Sequence, residues 1–154
     1  MTGVTATLAA VTAADLDTAE AYELWRLRQQ VFVVEQQSPY ADLDGRDLDP
    51  TTRHVLAHSA GTLVGCLRVV ENPDHLRIGR VVAAAEARGS GLGRRLLTAG
   101  LDLCAGREVR LDAQTHLAAF YGSFGFEVSG PEYDEDGIMH VPMCRAAQTG
   151  GATS

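Results

Sequence analysis

The sequence predicts a mixed α/β fold in which helices pack on one β-sheet. Runs rich in β-branched residues alternate along the chain with segments whose apolar residues recur at helical spacing. The sequence shows no internal repeat and no linker that would separate domains. Its 154 residues, 45% of them hydrophobic, can bury a core without disulfides or metals. We therefore expect a single domain over residues 1–145 and a flexible tail over residues 146–154.

The N-terminal third predicts a strand, a helix and a loop. Residues 3–10 alternate weakly in polarity, as a half-buried strand does. The capping-box patterns TAAD and DTAE precede a helix that we expect to end near Gln36, although its VFVVE end has the propensity of a strand. The polar, proline-punctuated segment SPYADLDGRDLDPTT then predicts a loop.

The rest of the chain predicts more strands, with two helices between them. Residues 53–71 hold two β-rich runs around a Ser-Ala-Gly turn, which predicts a hairpin. A helix with a broad apolar face is expected from about Leu92 to Cys104, and HLAAFYGSFGF predicts a short helix that Gly125 ends. Single strands are expected at 76–84, 108–114, 126–130 and 138–145.

Composition and charge exclude several classes of function. The formal net charge of −7 argues against a broad electrostatic contact with nucleic acid or an anionic membrane. All basic residues are arginine, so lysine nucleophiles and Schiff bases are excluded. Cys66, Cys104 and Cys144 form no CxxC pair and indicate buried thiols in a reducing compartment, with no metal site. Without a signal-like N-terminus or a bilayer-length apolar run, we expect a cytoplasmic protein.

The segment EARGSGLGRRLL carries the clearest functional signal. Gly89, Gly91 and Gly93 lie between an expected strand and the first turn of a helix, where free N–H groups and the helix dipole favour an anion. Arg94 and Arg95 fall in that first turn, where the dipole disfavours cations unless an anion binds there. A tight turn without a ligand is the alternative. The P-loop pattern is absent, and a dinucleotide fingerprint needs its third glycine one position later.

The segment RGSGLG fits the R/Q-x-x-G-x-G/A signature of the GCN5-related N-acetyltransferases, a family that the chain resembles over roughly residues 20–145. RVVAAAEARG resembles the family's fourth strand, and HLAAFYGSFGF resembles its A-x-x-[FL]-Y-x-x-x-G-F helix. LRQQVFVVEQQSPYADLDGRDLD and YDEDGIMHVPM resemble the ElaA-like subfamily. Two positions depart from the family: Ala85 replaces a common proline, and Thr115 or His116 stands at the usual asparagine.

The resemblance implies a GNAT-like acyl-CoA N-acyltransferase fold, with a central, mostly antiparallel sheet of about six to seven strands flanked by about four helices. It implies acetyl-CoA as co-substrate, with its pyrophosphate on the glycine segment and its pantetheine amides paired to the backbone of a strand edge. The residues expected to bind coenzyme A are Val81, Val82, Ala83, Arg88, Gly89, Ser90, Gly91, Leu92, Gly93 and Arg94.

Acetyl transfer needs an acid for the leaving thiolate and a route for the proton of the amine. The resemblance assigns the acid to Tyr121, whose apolar helical spacing equally fits a core residue. Glu35 follows the apolar VFVV run, which would raise its pKa and suit a base; a solvated glutamate is the alternative. His116 and His140 are further candidates, and water can also take the proton. We expect Phe32, Glu35 and His140 to contact the acceptor.

Two acidic segments, ADLDGRDLDP and residues 134–136, fit solvated loops or a carboxylate rim that attracts a protonated amine. The first is not an EF-hand, since its glycine comes early and Arg46 fills a ligand position. His54 and His58 lie on an expected strand, where their spacing does not form a metal site.

The leading hypothesis is an acetyl-CoA-dependent N-acetyltransferase that moves the acetyl group to a primary amine of a small molecule or peptide by direct transfer in a ternary complex. The VFVVEQ segment also resembles acyl-homoserine-lactone synthases, which gives a second enzymatic hypothesis. A non-catalytic acyl-CoA-binding sensor is the third. A homodimer through the late strands is plausible, whereas nucleic-acid and membrane partners are not expected.

Overall fold

One open sheet organises the molecule in the computed structural model, which describes residues 5–148. Over these residues it has eight strands: β1 (Thr7–Val11), β2 (Arg53–Ser59), β3 (Thr62–Glu71), β4 (Leu76–Ala83), β5 (Val109–Gln114), β6 (Glu127–Val128), β7 (Tyr133–Glu135) and β8 (Ile138–Arg145). Their order is β1-β2-β3-β4-β5-β8-β6, and β7 pairs with β8. Pairing is antiparallel except between β4 and β5. The mixed, mostly antiparallel fold is confirmed; β7 lies in a segment expected to be a loop.

The helices begin where the sequence predicts. Asp17 caps α1 (Thr18–Arg28) by accepting a hydrogen bond from the Glu20 N–H at 2.8 Å, and the reciprocal bond completes the predicted capping box. The predicted helix then continues to Glu35 as a π-helix (Gln29–Glu35), whose β-branched residues crowd a regular α-turn. Helix α2 (Leu92–Cys104) matches its prediction, and α3 (Ala118–Gly122) ends before Gly125.

The strands β4 and β5 diverge soon after they meet. They pair only at Leu76↔Val109 and Arg77↔Arg110. On its other side, β4 has a β-bulge: Cys66 and Arg68 of β3 pair with Val82 and Gly79, which gives β4 one extra residue in that interval. A bulge bends its strand and increases its twist. The sheet is therefore split from the middle of β4 onward, and a cleft opens between the two strands.

Two apolar clusters cover the faces of the sheet. Helix α2 packs on one face through side chains such as Leu96 and Leu97, which are fully buried. The axis of α2 comes close to the sheet at Gly100, where a Cβ would lie 3.1 Å from Leu67 Cδ1. Helix α1 covers the other face, where Leu24 belongs to a second cluster with Val82 of β4. The β4 strand is thus clamped from both sides.

The chain ends are described in part. The Gln148 N–H donates a hydrogen bond to the Gly106 carbonyl at 2.7 Å. Residues 1–4 and 149–154 lie outside the described residues, and with them the start of the first expected strand and most of the expected tail. Within residues 5–148, no helix combines the length and the apolar character that crossing a membrane requires.

Candidate active site

The divergence of β4 and β5 opens a cleft of about 290 Å³. Strand β4 forms one wall of the cleft. The other wall consists of β5 together with Leu117 and Tyr121, which lie in the 3-10 turn and the helix α3 that follow β5. The π-helix and the loop that follows it contribute Phe32 and Tyr40, while the β7–β8 hairpin contributes His140. Segments far apart in the sequence therefore meet at one opening in the sheet.

The glycine segment leads into α2 from the end of β4, the strand that lines this cleft as far as Val81. Gly89 and Gly91 have φ of +81° and +83°, a conformation that favours glycine, and Gly91 is the N-cap of α2. A Cβ at either position would meet no atom of residues 5–148 within 4 Å, so the backbone faces open space in the described part of the chain. N–H groups of the first turn from Leu92 have no intrahelical acceptor by geometry. This open, electropositive backbone fits an anion such as a pyrophosphate.

Side chains around the segment are fixed by neighbouring elements. Arg94 lies with its Cζ 4.8 Å from the ring centroid of Phe124, and its Nη2 donates to Ser123 Oγ at 3.0 Å. Gly93 faces Phe120, whose Cζ would lie 3.7 Å from an added Cβ. Ser90 turns its hydroxyl back to its own loop and donates to a backbone carbonyl. Helix α3 and the two residues after it therefore pack on the start of α2 and hold the Arg94 guanidinium.

Arg88 forms a bidentate ion pair with Glu35. Its two terminal nitrogens lie 2.5 and 3.0 Å from the Glu35 carboxylate oxygens, and its Nε donates to the Ala83 carbonyl at 3.0 Å. The hydrogen bond from Arg88 lowers the pKa of Glu35 below its ordinary value. The expected rise in the Glu35 pKa is therefore wrong: the charge of Arg88 outweighs the apolar neighbours. The pair joins the π-helix to the glycine segment.

Tyr121 projects from α3 into the cleft. Its side chain is 6% exposed, and its ring packs edge-to-face on Phe120 and Phe126. Burial raises the pKa of the Tyr121 phenol to about 12, so the hydroxyl keeps its proton at neutral pH. Tyr121 therefore belongs to the core and also lines the cleft, a position compatible with the expected role as an acid.

The two candidate histidines have different surroundings. His140 lines the cleft, stacks on Tyr133 with ring centroids 5.9 Å apart, and places its Nδ1 2.8 Å from the Ile138 carbonyl. A neutral ring that donates from Nδ1 leaves Nε2 as an acceptor. His116 lies in the 3-10 turn before α3, where its side chain is exposed and not among the residues of the cleft. The structure thus brings Phe32, Tyr121 and His140 together and leaves His116 outside.

Two aspartates of the first acidic segment are buried in ion pairs, so the interpretation as a solvated loop is wrong for Asp42 and Asp47. Asp42 and Asp47 are buried and paired with Arg28, which is 1% exposed, at 2.9 and 2.7 Å. Arg68 joins Asp44 and Asp47 in the same network, and its hydrogen bonds lower the pKa of Asp44. Among residues 5–148, no cluster of histidine, cysteine or acidic side chains is arranged to hold a metal.

The sequence carried a signal for this network that composition alone does not reveal. Arg28 stands four residues after Leu24 and three before Val31, on the buried face of the helix. A cation on such a face needs a carboxylate partner, because an unpaired buried charge is costly. The aspartate-rich segment that follows offers several such carboxylates.

A split mixed sheet with an open glycine segment at the start of a helix is the architecture of acyl-CoA-dependent acyltransferases, and comparison with known proteins agrees. The model of the Acetyltransferase (GNAT) domain matches residues 12–146. The UPF0039 protein Rv2851c of Mycobacterium tuberculosis is 45% identical over 149 residues, which cover 92% of this chain and 94% of that protein. Protein ElaA of Escherichia coli is 41% identical over 138 residues, covering 85% and 90%.

The fold has a solved counterpart at similar identity. The crystal structure of an acyl-CoA N-acyltransferase from Pseudomonas aeruginosa superposes with a TM-score of 0.87 at 40% identity, and the match covers 92% of this chain and 100% of that one. The chain belongs to the GNAT acetyltransferase family, and its fold is that of an acyl-CoA-dependent transferase. The resemblance inferred from the glycine and tyrosine motifs is confirmed.

Proposed function

We propose that the protein is an acetyl-CoA-dependent N-acetyltransferase that transfers the acetyl group directly to a primary amine in a ternary complex. The observation that carries the proposal is the succession of three features along β4 and the segment that follows it. The open backbone at Gly89 and Gly91 adjoins the end of β4, and β4 runs along the cleft that contains Tyr121. A phosphate site, an unpaired strand edge and a buried acid thus follow one another.

The donor would lie along β4 and the glycine segment. Beyond Arg77, β4 pairs with no strand of residues 5–148 on the β5 side, so its edge can hydrogen-bond the amides of a pantetheine arm as a neighbouring strand would. The first turn of α2 and Arg94 would hold the diphosphate. Acetyl-CoA supplies an activated acetyl carbonyl; the chain supplies its alignment. Arg88 and Glu35 would support this side by fixing the end of β4 at Ala83.

Tyr121 would protonate the leaving sulfur. As the amine nitrogen forms its bond to the carbonyl carbon, the carbon–sulfur bond breaks and its electron pair stays on sulfur. The phenol then gives its proton to the thiolate. The high pKa of Tyr121 keeps the hydroxyl protonated until that step. His140 offers Nε2 as the acceptor for the proton that the amine loses, since its Nδ1 faces the Ile138 carbonyl.

The charges of the cleft favour a cationic acceptor. Arg68 and Arg77 also line it, and each is paired with an aspartate, at 2.6 and 2.7 Å. The opposite charges of these ion pairs therefore cancel locally. The β7–β8 hairpin adds Glu135 and Asp136, whose side chains are exposed at the opening. Carboxylates at this position attract an ammonium group before it loses its proton.

Turnover with acetyl-CoA and a panel of amines tests the proposal. Release of free thiol is followed for the wild type, for Tyr121→Phe and for the control Tyr22→Phe, whose phenol is 64% exposed on α1. We expect thiol release that depends on the amine, with kcat lower by about 100-fold in Tyr121→Phe and unchanged in the control. A wild type that binds coenzyme A but acetylates no amine would support the sensor hypothesis instead.

A further inference from the structure

We propose that Arg80 is a positioning residue whose side chain, held by the aspartate loop, fixes the bulge that aims the β4 backbone into the cleft. The inference rests on the proposed function, because it concerns the strand edge that would bind the donor. Arg80 comes directly before Val81, Val82 and Ala83, the residues expected to contact the pantetheine arm. The conformation of Arg80 therefore sets the direction in which their N–H and C=O groups point.

The backbone of Arg80 adopts a conformation that an arginine does not prefer. Its φ is +53°, in the left-handed region, at the point where β4 has its extra residue. For a residue with a Cβ this conformation is strained, whereas glycine adopts it freely. A glycine or asparagine would form the same bulge with less strain. The presence of arginine at this position indicates that its side chain has a role beyond allowing the backbone to form the bulge.

The side chain of Arg80 reaches from the strand to the loop that follows the π-helix. Its Nε lies 2.7 Å from Asp42 Oδ1, and its Nη2 donates to the Asp42 carbonyl at 3.0 Å. A second carboxylate, Asp44, lies 3.4 Å from the same Nη2, and the guanidinium sits over the ring of Tyr40 at 5.5 Å. The guanidinium is thus held by two carboxylates, a carbonyl and an aromatic face.

The loop can act as an anchor because it is itself fixed. Asp42 accepts hydrogen bonds from Arg28 Nε at 2.9 Å and from the Tyr40 hydroxyl at 2.8 Å. Arg28 is fully buried in α1 and also holds Asp47. A chain of ion pairs and hydrogen bonds therefore runs from the core of α1 to the bulge. Such a chain restricts the guanidinium to one arrangement. Because Arg80 is itself part of the bulge, the restriction also fixes the backbone conformation of the bulge.

The consequence for the site is geometric. Beyond the bulge, Val82 is buried against α1 while the edge of β4 faces the cleft. A bulge that relaxed to a regular ladder would shift the register by one residue and rotate the following backbone groups and side chains to the opposite faces. Even a partial rotation misdirects the donors that align a thioester carbonyl, and such alignment is worth a large part of a rate enhancement.

The test compares Arg80→Ala, Arg80→Gly and Arg80→Lys with the control Arg107→Ala, which removes an exposed ion pair with Glu71. Four quantities are measured on the full chain: coenzyme A affinity by calorimetry, kcat with acetyl-CoA and an accepted amine, thermal unfolding, and hydrogen exchange over residues 76–84. Arg80→Gly is the informative variant. It can keep the bulge without strain, so it removes the anchor while leaving the backbone conformation accessible.

We expect Arg80→Gly to unfold near the wild-type temperature, to lose about fivefold in coenzyme A affinity, and to fall about tenfold in kcat. Exchange over residues 76–84 should accelerate, and Arg80→Lys should lie between, since an ammonium cannot reproduce the guanidinium fork. Should Arg80→Gly fail to fold, Arg80→Lys decides by the same measurements. The inference is overturned if the deciding variant binds and turns over within about twofold of the wild type, or if Arg107→Ala shows the same losses.

The two proposals fail in different ways. If the wild type acetylates no amine, the proposed function fails, while coenzyme A affinity and hydrogen exchange still report on Arg80. If the wild type is active and the Arg80 variants match it, the function stands and the positioning role is refuted.

Discussion

Substituting Gly91 by alanine tests whether the open backbone at the start of α2 receives the donor. Gly91 has φ of +83°, and an added Cβ would meet no protein atom within 4 Å. The methyl group therefore occupies space that the fold leaves empty. A change in ligand affinity then reflects contact between the methyl group and the ligand, because the described part of the protein does not obstruct the methyl group. Gly61, in the β2–β3 turn, has φ of +82° and equally open surroundings, so Gly61→Ala is a matched control.

The expected magnitudes differ for stability and for binding. Alanine in the left-handed conformation costs about 1–2 kcal/mol, so both variants should lose a similar amount of unfolding free energy. A methyl group at position 91 also keeps a phosphate oxygen from the N–H groups of the first turn. Each charge-assisted hydrogen bond is worth about 1.5–3 kcal/mol, which corresponds to about 10- to 100-fold in Kd when one is lost. Gly61→Ala should leave Kd unchanged.

Calorimetric titration with coenzyme A and urea unfolding measure the two quantities on the same samples. Gly91→Asp extends the series, because its carboxylate adds repulsion toward a diphosphate, and it should bind more weakly than Gly91→Ala. The reasoning is refuted if Gly91→Ala binds coenzyme A as the wild type does, or if Gly61→Ala loses as much affinity. In either case the glycines would serve only the turn between β4 and α2.

Three further predictions follow from the charged groups. Glu35→Gln should raise the KM for acetyl-CoA several-fold and leave kcat nearly unchanged, since the carboxylate holds Arg88; a collapse of kcat alone, measured by thiol release, would instead make Glu35 the base. Arg28→Ala should lower the free energy of unfolding by about 3–5 kcal/mol in urea titrations, because Asp42 and Asp47 would stay buried without their cation; a loss below about 1 kcal/mol would contradict this. Burial lowers the pKa of His54 below 6.5. The neutral imidazole therefore contributes its full stability above that pH, and this contribution to the free energy of unfolding is lost as the pH falls through the pKa of the folded state. A free energy of unfolding that stays constant from pH 8 to about pH 5 would contradict this prediction.

Local features of the fold could be predicted because local chemistry determines them. The capping boxes at Thr12 and Asp17 are present, since each satisfies backbone groups only three residues away. The β2–β3 hairpin and the apolar face of α2 also follow from short-range patterns. The glycine segment belongs to the same class. The positive φ at Gly89 and Gly91 is a property of the residues themselves, and no distant partner is needed to recognise it.

Features that depend on distant partners could not be predicted. Glu35 and Arg88 are separated by 53 residues, and their pairing reverses the expected direction of the Glu35 pKa. The bulge at Arg80 also needs the loop that carries Asp42, 38 residues earlier in the sequence. The periodicity of apolar residues in the sequence does not indicate such contacts. The π-helix is an intermediate case. The strand propensity of its VFVV run indicated that a regular α-helix is disfavoured there, but it did not indicate which conformation replaces it.

The charges of the site divide into two sets with different functions. Asp42, Asp44 and Asp47 are neutralised by buried or half-buried arginines, so they order the loop and contribute little net field to the cleft. Glu135 and Asp136, in the β7–β8 hairpin, are exposed. A chain with a net charge of −7 therefore presents a positive approach at the glycine segment and a negative approach at the β7–β8 hairpin. An anionic donor at the glycine segment and a cationic acceptor at the hairpin would then engage different charges, as the proposed direct transfer in a ternary complex requires.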